Sequence, residues 1–319
     1  MSPRLIMKLS VAATAALGDD VLEVVFRHPR RPALPAPEPG SHVDLHLPDG
    51  RVRQYSLCGD PDDDGTYTIA VRRERGGRGG SAWIHDHLVP GALVPVSAPR
   101  NHFPLATEAR HHVLVAGGIG ITPIAAMAQH LARRGSSFEL HYCARGQAHA
   151  PLLERLRVVC GERLQTWFSQ GPQPRRLDLS RFDAAPPPGT HLYACGPARL
   201  LDALGAATTR WPRDAVHMER FEPLADGDFV PEPFEVQLAS SGAVLDVPAG
   251  RSLLDVLREH GFMLPSSCGI GVCGTCECGF RIPGEGSVIH RDVVLAPGDR
   301  DRRLMPCVSR GRGRLVIDL

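Results

Sequence analysis

The sequence predicts a multidomain chain, in which an antiparallel β-barrel is followed by an α/β domain with a parallel sheet and then by an α+β domain. Three observations support this prediction. The first third has short β-type segments separated by Pro, Gly and Asp turns, the middle alternates strands with helices, and the last part places a hairpin and a helix before a cysteine-rich loop. A length of 319 residues allows two or three domains of ordinary size.

The domain boundaries follow from changes in these patterns. We expect a first domain at 1–104, a second at 105–223, a linker at 224–232 and a third at 233–319. The linker is assigned because proline and acidic residues dominate the stretch from Glu222 to Pro233.

The first domain is predicted from its β-type segments. They lie at 22–26, 42–47, 53–57, 66–72 and 92–97. Short strands with turn residues between them are typical of a small antiparallel barrel. The apolar stretch 9–17 resembles a signal peptide in composition, but the turn at 18–20 and the next strand continue it directly. We therefore predict a strand there and no targeting segment.

The middle and last domains differ in how strands and helices alternate. In the middle, predicted strands at 111–116, 138–143 and 191–194 are each followed by a helical stretch, which predicts a parallel sheet with crossover helices. In the last part, a hairpin at 234–238 and 244–247 precedes a helix. That helix should begin at Ser252, whose hydroxyl and Asp255 three residues later match a capping box.

Charge and hydropathy argue against two kinds of partner. The chain has 36 basic and 35 acidic residues, a net charge of +1, so no strong field favours nucleic acid or an anionic membrane. The apolar stretch 113–128 is shorter than the roughly 20 residues that span a bilayer, and it contains three glycines and a proline. We predict a cytoplasmic protein with no membrane or nucleic-acid partner.

Four cysteines near the carboxyl end carry the most specific signal. Cys268, Cys273 and Cys276 follow the spacing C-x4-C-x2-C, and Cys307 lies thirty-one positions further on. This is the spacing of a plant-type 2Fe-2S cluster. Glycines in the loop let the backbone curl around the inorganic core and turn its N–H groups towards the sulfurs. We predict that these four cysteines are the metal ligands.

A zinc site and a set of disulfides are both less favoured for these cysteines. Structural zinc sites usually repeat a C-x2-C pair, whereas only Cys273 and Cys276 have that spacing here. Nine cysteines in a chain of this length do not resemble a secreted disulfide scaffold. Cys278, close behind the loop, is expected to be a buried thiol that does not bind metal.

Two motifs in the middle domain predict a nucleotide site. The segment GGIGITP at 117–123 follows a strand, so Gly118 and Gly120 would let backbone approach a pyrophosphate, and Thr122 would cap the following helix. Alone, this motif is equally compatible with a structural turn. Cys195, Gly196 and Pro197 end a later strand, at the sheet edge where doubly wound folds bind ligands.

The first domain offers a second set of polar groups. Arg53 and Tyr55 should share one face of a strand, while Ser56 points to the other. Gly80 and Ser81 follow a glycine-rich turn and open a helix, which makes an anion cradle. By composition alone, a solvated loop with arginines is the favoured interpretation of this segment.

These motifs, taken in order along the whole chain, resemble the phthalate dioxygenase reductase family, which includes vanillate demethylase reductases. The resemblance implies a ferredoxin-reductase-like flavin barrel that binds FMN, an NADH-binding domain, and a carboxy-terminal plant-type ferredoxin domain of the β-grasp class. It also implies that electrons pass to a separate Rieske-type oxygenase that hydroxylates aromatic rings or removes O-methyl groups.

The family pattern also assigns roles to single residues. Arg53, Tyr55 and Ser56 would hold the flavin, with Ser56 near its N5 atom. The resemblance also implies that Gly80 and Ser81 bind the flavin phosphate and that Phe221 lies on the flavin face. The residues that it implies for NADH, with Cys195 near the nicotinamide, are Gly118, Gly120, Thr122, Cys195, Gly196 and Pro197. The stretch 141–145 would lie near the adenosine half, and Arg145 leaves NADPH open as an alternative to NADH.

The implied mechanism requires no general acid or base. NADH gives two electrons at once and a 2Fe-2S cluster accepts one, so the flavin converts between them. We expect a monomeric enzyme, an NADH:acceptor oxidoreductase. Two alternatives remain open: the reductase of a diiron monooxygenase that uses FAD, and a non-enzymatic 2Fe-2S redox sensor.

Overall fold

The computed structural model describes residues 5–77, 79–223, 227, 229–295 and 297–319. The chain divides into two compact units, residues 1–221 and residues 222–319. Much of the predicted linker 224–232 lies outside the described residues. In the part of the chain that the structure describes, no helix combines the length and the apolar character needed to cross a bilayer.

The first unit begins with an antiparallel barrel, as predicted. Its strands are β1 (Ile6–Ala16), β2 (Val21–Arg27), β3 (Ser41–His46), β4 (Val52–Ser56), β5 (Thr66–Arg72), β6 (Leu93–Ser97) and β7 (Arg100–Asn101), with helix α1 (Gly80–His87) after β5. The strand order is β4-β3-β6-β1-β2-β5, and β7 pairs with β3. A bridge between Leu57 and Ile69 links the two ends of this order and closes the barrel.

The barrel interior explains the alternation seen in the sequence. Alternate side chains such as Leu9, Phe26, Leu45 and Ile69 are fully buried and fill the interior. The stretch that resembles a signal peptide forms β1, which pairs with β2 and β6. The prediction of a strand there is confirmed.

The second part of the first unit, after the barrel, is built on a parallel sheet. Its strands are β8 (His111–Gly117), β9 (Phe138–Ala144), β10 (Leu164–Phe168), β11 (Thr190–Cys195) and β12 (Val216–Glu219), and its helices are α2 (Ile121–Arg133), α3 (Leu153–Cys160) and α4 (Ala198–Ala207). The order is β10-β9-β8-β11-β12, and all the pairs are parallel. Strands β10 and β12 are not among the predicted segments, because both are short, partly exposed edge strands.

The strand order reverses between β8 and β11. From β8 the chain adds β9 and β10 on one side, then returns to place β11 and β12 on the other. Helices α2 and α3 cover one face of the sheet and α4 covers the opposite face. In open α/β sheets, ligands bind outside the carboxyl ends of the strands at such a reversal.

The start of α2 differs from the prediction. A 3-10 turn at Gly118–Gly120 runs directly into the helix, and Gly120 itself has right-handed helical dihedrals. Thr122 is therefore a residue of the first turn, and its hydroxyl donates a hydrogen bond to the Ile119 carbonyl (3.1 Å). The prediction that Thr122 caps the helix is wrong.

The second unit is a mixed sheet with one covering helix. Its elements are β13 (Phe234–Leu238), β14 (Val244–Val247), α5 (Leu253–Glu259), β15 (Cys278–Arg281), β16 (Gly286–Ile289), β17 (Arg303–Leu304) and β18 (Arg310–Ile317). The order is β14-β13-β18-β15-β17 with β16 paired to β18, and β13 runs parallel to β18. The Ser252 hydroxyl accepts a hydrogen bond from the Asp255 N–H (3.1 Å), so the predicted cap is confirmed.

Candidate functional site

The two predicted nucleotide motifs meet at the reversal of the sheet. A Cβ atom on Gly117 would lie 2.7 Å from Pro197 Cδ, and one on Gly196 would lie 3.0 Å from the Gly117 Cα. A Cβ on Gly120 would overlap the Cys195 carbonyl group. Glycine is required here because the ends of β8 and β11 approach with no room for side chains.

A cavity of about 450 Å³ opens at the carboxyl ends of β8, β9 and β10. Of the predicted residues, Gly118, Pro197 and Arg145 line it. Thr122 and Cys195 are almost completely buried and do not appear in the lining, so they support the cavity wall from behind. The structure thus places the two motifs at one site and separates residues that face the cavity from residues that hold its shape.

The cavity wall is rich in arginine. The lining includes one acidic residue, Asp20 in the turn between β1 and β2, and five arginines: Arg72, Arg145, Arg175, Arg176 and Arg199. A concave site with this charge attracts an anion such as a pyrophosphate. The sequence reasoning missed Arg175, Arg176 and Arg199. The paired arginines that follow Gln173 and Pro174 were a usable signal, but the strand before them was not recognised.

Cys195 has a partly buried acidic neighbour, which the sequence reasoning also missed. The Cys195 Sγ lies 4.0 Å from Glu219 Oε2, at the ends of the paired strands β11 and β12. Burial raises the pKa of the Glu219 carboxyl to about 8. Burial, and secondarily Glu219, raise the pKa of the Cys195 thiol well above its usual value. Both groups are therefore neutral at pH 7 and form a weakly polar floor at the reversal of the sheet.

The barrel motif on β4 has the alternation that the sequence predicts. Tyr55 packs against the barrel core, and burial raises the pKa of its hydroxyl while Arg53 opposes that rise. Ser56 is only 5 % exposed and is paired with His42 on β3. A Cβ on Gly80 would overlap the Arg53 side chain, so the two predicted halves of the site are in contact.

The amino end of α1 has a geometry that suits an anion. Gly79 adopts a left-handed conformation (φ 78°) that turns the chain into the helix, and no acidic residue lies in the first turn. Free N–H groups at this end lie beside the Arg53 guanidinium, which fits a phosphate. The Ser81 hydroxyl accepts a hydrogen bond from the Glu74 N–H (3.0 Å) and so also shapes the turn. Phe221, at the end of the first unit, is 38 % exposed.

The four predicted cluster cysteines come together in the second unit as two pairs. The thiol of Cys268 is hydrogen-bonded to Cys273, and that of Cys276 to Cys307. Two pairs of thiols suit two irons, with two thiolates for each iron. Among the described residues, no group of three or more His, Cys, Asp or Glu side chains has the geometry to hold a metal ion.

Hydrogen bonds in the cluster loop, residues 268–276, reach the cysteine sulfurs. The Ile270 N–H donates to Cys268 Sγ (3.4 Å), and hydrogen bonds from Cys268 and Thr275 lower the pKa of the Cys273 thiol. The loop glycines Gly269, Gly271 and Gly274 all have φ near +70°. L-residues rarely adopt this conformation, so the glycines permit the tight curl that was predicted.

A neighbouring segment supports the loop from behind. The Val293 N–H donates to the Gly271 carbonyl (3.1 Å). Asp292 is 1 % exposed, and its carboxylate accepts hydrogen bonds from the N–H groups of Val294 (3.3 Å) and Leu295 (2.9 Å). This buried carboxylate fixes the turn against which the loop rests.

Cys278 belongs to strand β15 and not to the loop. Its thiol donates to the Gly279 carbonyl (3.4 Å), and burial raises its pKa to about 11. A thiol of this kind is unreactive, and its exclusion from the ligand set remains a prediction.

Comparison with known proteins agrees with this architecture. A 2Fe-2S iron-sulfur cluster binding domain matches residues 236–310. The crystal structure of phthalate dioxygenase reductase, described as a modular structure for electron transfer from pyridine nucleotides to a 2Fe-2S centre, is 36 % identical with a TM-score of 0.73 and 98 % of each chain covered. The chain belongs to the phthalate dioxygenase reductase family. As a member, it is an oxidoreductase that serves as the reductase of an oxygenase system.

Two relatives show the range of systems within the family. A putative toluene-4-sulfonate monooxygenase system reductase subunit from Comamonas testosteroni is 44 % identical over 322 residues, with 98 % of each chain covered. The beta subunit of a heme-dependent oxidative N-demethylase from Ectopseudomonas mendocina is 45 % identical over 289 residues, with 90 % of each covered. Because such relatives are subunits of oxygenase systems, the family reductase has an oxygenase component as its partner.

Proposed function

We propose that the chain oxidises NADH and passes the electrons through FMN and a 2Fe-2S cluster to an oxygenase component. The observation that carries this proposal is the presence, in one chain, of an arginine-lined cavity at the sheet reversal and of two thiol pairs in a cluster loop. The cavity suits an anionic two-electron donor, and the loop suits a one-electron acceptor. Bound flavin supplies the conversion from hydride transfer to single-electron transfer.

The residues of the barrel hold and orient the flavin in this proposal. Arg53 and the α1 amino end, with Gly80 and Ser81, neutralise the phosphate of FMN. Tyr55 offers a flat ring on the same face as Arg53, and the Ser56 hydroxyl provides a hydrogen bond near N5.

The residues of the parallel sheet hold NADH in this proposal. Gly118 and Pro197 face the dinucleotide, while Gly120, Thr122, Cys195 and Gly196 set the shape of the nicotinamide end from behind. Arg145 binds on the adenosine side, and Phe221 covers the flavin face. The boundaries 1–104, 105–223, 224–232 and 233–319 for the flavin domain, NADH domain, linker and ferredoxin domain belong to the same proposal.

The four cysteines Cys268, Cys273, Cys276 and Cys307 hold the cluster. A Rieske-type oxygenase is the first candidate for the partner. The relative that is a subunit of a heme-dependent oxidative N-demethylase favours a heme-dependent oxygenase as the second candidate. We also propose that the reductase is a monomer in the cytoplasm, where thiolates stay reduced.

An anaerobic titration of the purified holoprotein with NADH tests the function. Flavin and cluster absorbance should bleach in sequence, and mass spectrometry of the released flavin should give FMN. A protein that contains FAD would favour the diiron monooxygenase alternative. Normal bleaching followed by negligible turnover with every one-electron acceptor would favour a redox sensor and contradict the proposal.

A further inference from the structure

Trp167 is an aromatic residue of the cavity wall to which no role has been assigned above. It lies near the carboxyl end of the edge strand β10 and is only partly buried. Its position is two strands away from β8, so it lies about 12 Å from the sheet reversal, given the usual spacing of neighbouring strands. If the nicotinamide occupies the reversal, Trp167 is located where the other base of an extended dinucleotide would lie.

The orientation of Trp167 is fixed by buried polar groups. Its indole N–H donates to His141 Nδ1 on the neighbouring strand β9 (3.3 Å). His141 is fully buried, and its Nε2 lies 3.4 Å from Glu139 Oε2, which in turn lies 3.5 Å from an Arg181 nitrogen. Because Nδ1 accepts the indole hydrogen, it is the other ring nitrogen, Nε2, that lies on the side of the carboxylate.

Burying the polar His141 side chain in this chain of contacts costs free energy. A fully buried histidine in a β-strand loses hydration, and an apolar residue would pack at His141 without that loss. The group that benefits is the indole, since a tryptophan held by its N–H cannot rotate away from the cavity. The arrangement therefore holds one flat aromatic surface in place in the wall of a ligand cavity.

A second planar group accompanies the indole. The Arg175 guanidinium carbon lies 5.1 Å from the centre of the Trp167 ring, within the range of a cation–π contact, and both side chains line the cavity. Nucleobases stack on indole and guanidinium planes, and base–aromatic stacking is tolerant of which base is bound. No comparable pair of planar groups is found elsewhere among the described residues of the cavity wall.

We propose that Trp167 and Arg175 form the platform on which the adenine base of the dinucleotide stacks, and that His141 is a positioning residue that holds this platform through the indole N–H. This inference rests on the proposed use of NADH. It assigns the adenine end to the edge strand β10 and makes Trp167 a determinant of binding, with no part in hydride transfer.

The test uses the full-length holoprotein and ligands that separate the two halves of NADH. We expect Trp167→Leu to weaken binding of ADP-ribose about tenfold by calorimetry and to raise the KM for NADH equally, because one base-stacking contact is lost. The kcat at saturating NADH and the turnover of reduced nicotinamide mononucleotide, which lacks adenine, should stay within twofold of wild type. Trp167→Phe, which keeps a stacking ring, should retain most of the affinity.

Two further pairs of variants isolate the contacts. Arg175→Gln should weaken ADP-ribose binding, whereas Arg163→Gln, which removes a similar stack on Phe138 outside the cavity, should not. His141→Leu should behave like Trp167→Leu, while His141→Asn keeps an acceptor in place of Nδ1 and should restore binding. Flavin content and thermal unfolding identify any variant that is misfolded. If the leucine variants are misfolded, ADP-ribose binding by Trp167→Phe and Arg175→Gln tests the platform.

Different failures have different meanings. If Trp167→Leu and Arg175→Gln each leave ADP-ribose affinity within twofold of wild type, or if they lower kcat with KM unchanged, the platform is wrong while the proposed function stands. If wild-type protein neither binds ADP-ribose nor oxidises NADH, the proposed function fails and the platform fails with it.

Discussion

The cluster loop and the arginine-lined cavity, which we propose as the sites of the 2Fe-2S cluster and of NADH, are built in opposite ways. Three of the four cluster thiols come from nine consecutive residues, and the loop takes its shape from its own glycines and backbone N–H groups. The cavity takes its wall from the ends of three strands, from helix α4 and from the barrel, and several of the residues that shape it never reach its surface. The first site depends on local sequence, whereas the second depends on how distant segments pack.

The largest expected effect is loss of the cluster while the cavity stays intact. Cys273→Ser should abolish the cluster, because serine is a poor ligand for iron in this setting and one iron would keep a single thiolate. Visible absorbance and electron paramagnetic resonance would show the loss, and reduction of a one-electron protein acceptor should fall more than tenfold. Oxidation of NADH with a dye that accepts electrons from flavin should continue.

A matched cysteine provides the control for that prediction. Cys278→Ala removes a buried thiol two residues beyond Cys276 without touching the paired sulfurs, so it should keep the cluster spectrum of wild type. Loss of the cluster in Cys278→Ala would show that the ligand set is wrong. Loss of dye reduction in Cys273→Ser would show that the two sites are not independent.

The next largest effect should come from Gly120, which does not line the cavity but packs behind its wall. Gly120→Ala should force α2 away from the Cys195 carbonyl, destabilise the protein by about 1–3 kcal/mol and raise the KM for NADH several-fold. Chemical denaturation and steady-state kinetics measure both. Gly205→Ala is the control, because this exposed helical glycine has open space around its Cβ position and alanine there should be neutral or slightly stabilising.

The same contrast explains what the sequence could predict. The cysteine spacing, the alternating strands of the barrel and the cap at Ser252 are local patterns, and all of them correspond to features of the structure. Strand β10 is short and partly exposed, so its pattern is weak, and without it neither Trp167 nor Arg175 could be placed in a site. Glu219 was missed for the same reason, at the end of the short strand β12.

The error at Thr122 has a similar origin. A threonine beside a proline after a glycine-rich turn is a good capping signal when the preceding residue is extended. Here the chain enters α2 through a 3-10 turn, so the helical conformation has already begun at Gly120. Gly120 packs directly against the end of β11, and no residue pattern within α2 reveals this tertiary contact.

A smaller effect tests how far the cluster loop depends on its neighbours. Asp292→Asn should replace a charged acceptor of two backbone N–H groups with an amide and lower the free energy of unfolding of the second unit by about 1–3 kcal/mol. The cluster should be lost at a lower denaturant concentration than in wild type. Asp246→Asn changes an exposed carboxylate on β14 and should have almost no effect. If both variants match wild type, the loop needs no outside support.

The smallest expected effect is a pH dependence of the free energy of unfolding that comes from Glu219, beside Cys195. The Glu219 carboxyl has a pKa of about 8 in the folded protein, against its usual 4.5, because it is buried. A group whose pKa is raised by folding stabilises the folded state fully below pH 4.5, and this contribution is lost as pH rises to 8. Between those values the free energy of unfolding should fall as pH rises, because the unfolded state releases this proton and the folded state keeps it. Denaturation of wild type and of Glu219→Gln across pH 5 to 8 isolates that slope, since glutamine mimics the protonated acid and does not titrate. Parallel curves for the two proteins would mean that Glu219 is ionised in the folded state, and the floor beside Cys195 would then carry a charge that the nicotinamide site must accommodate.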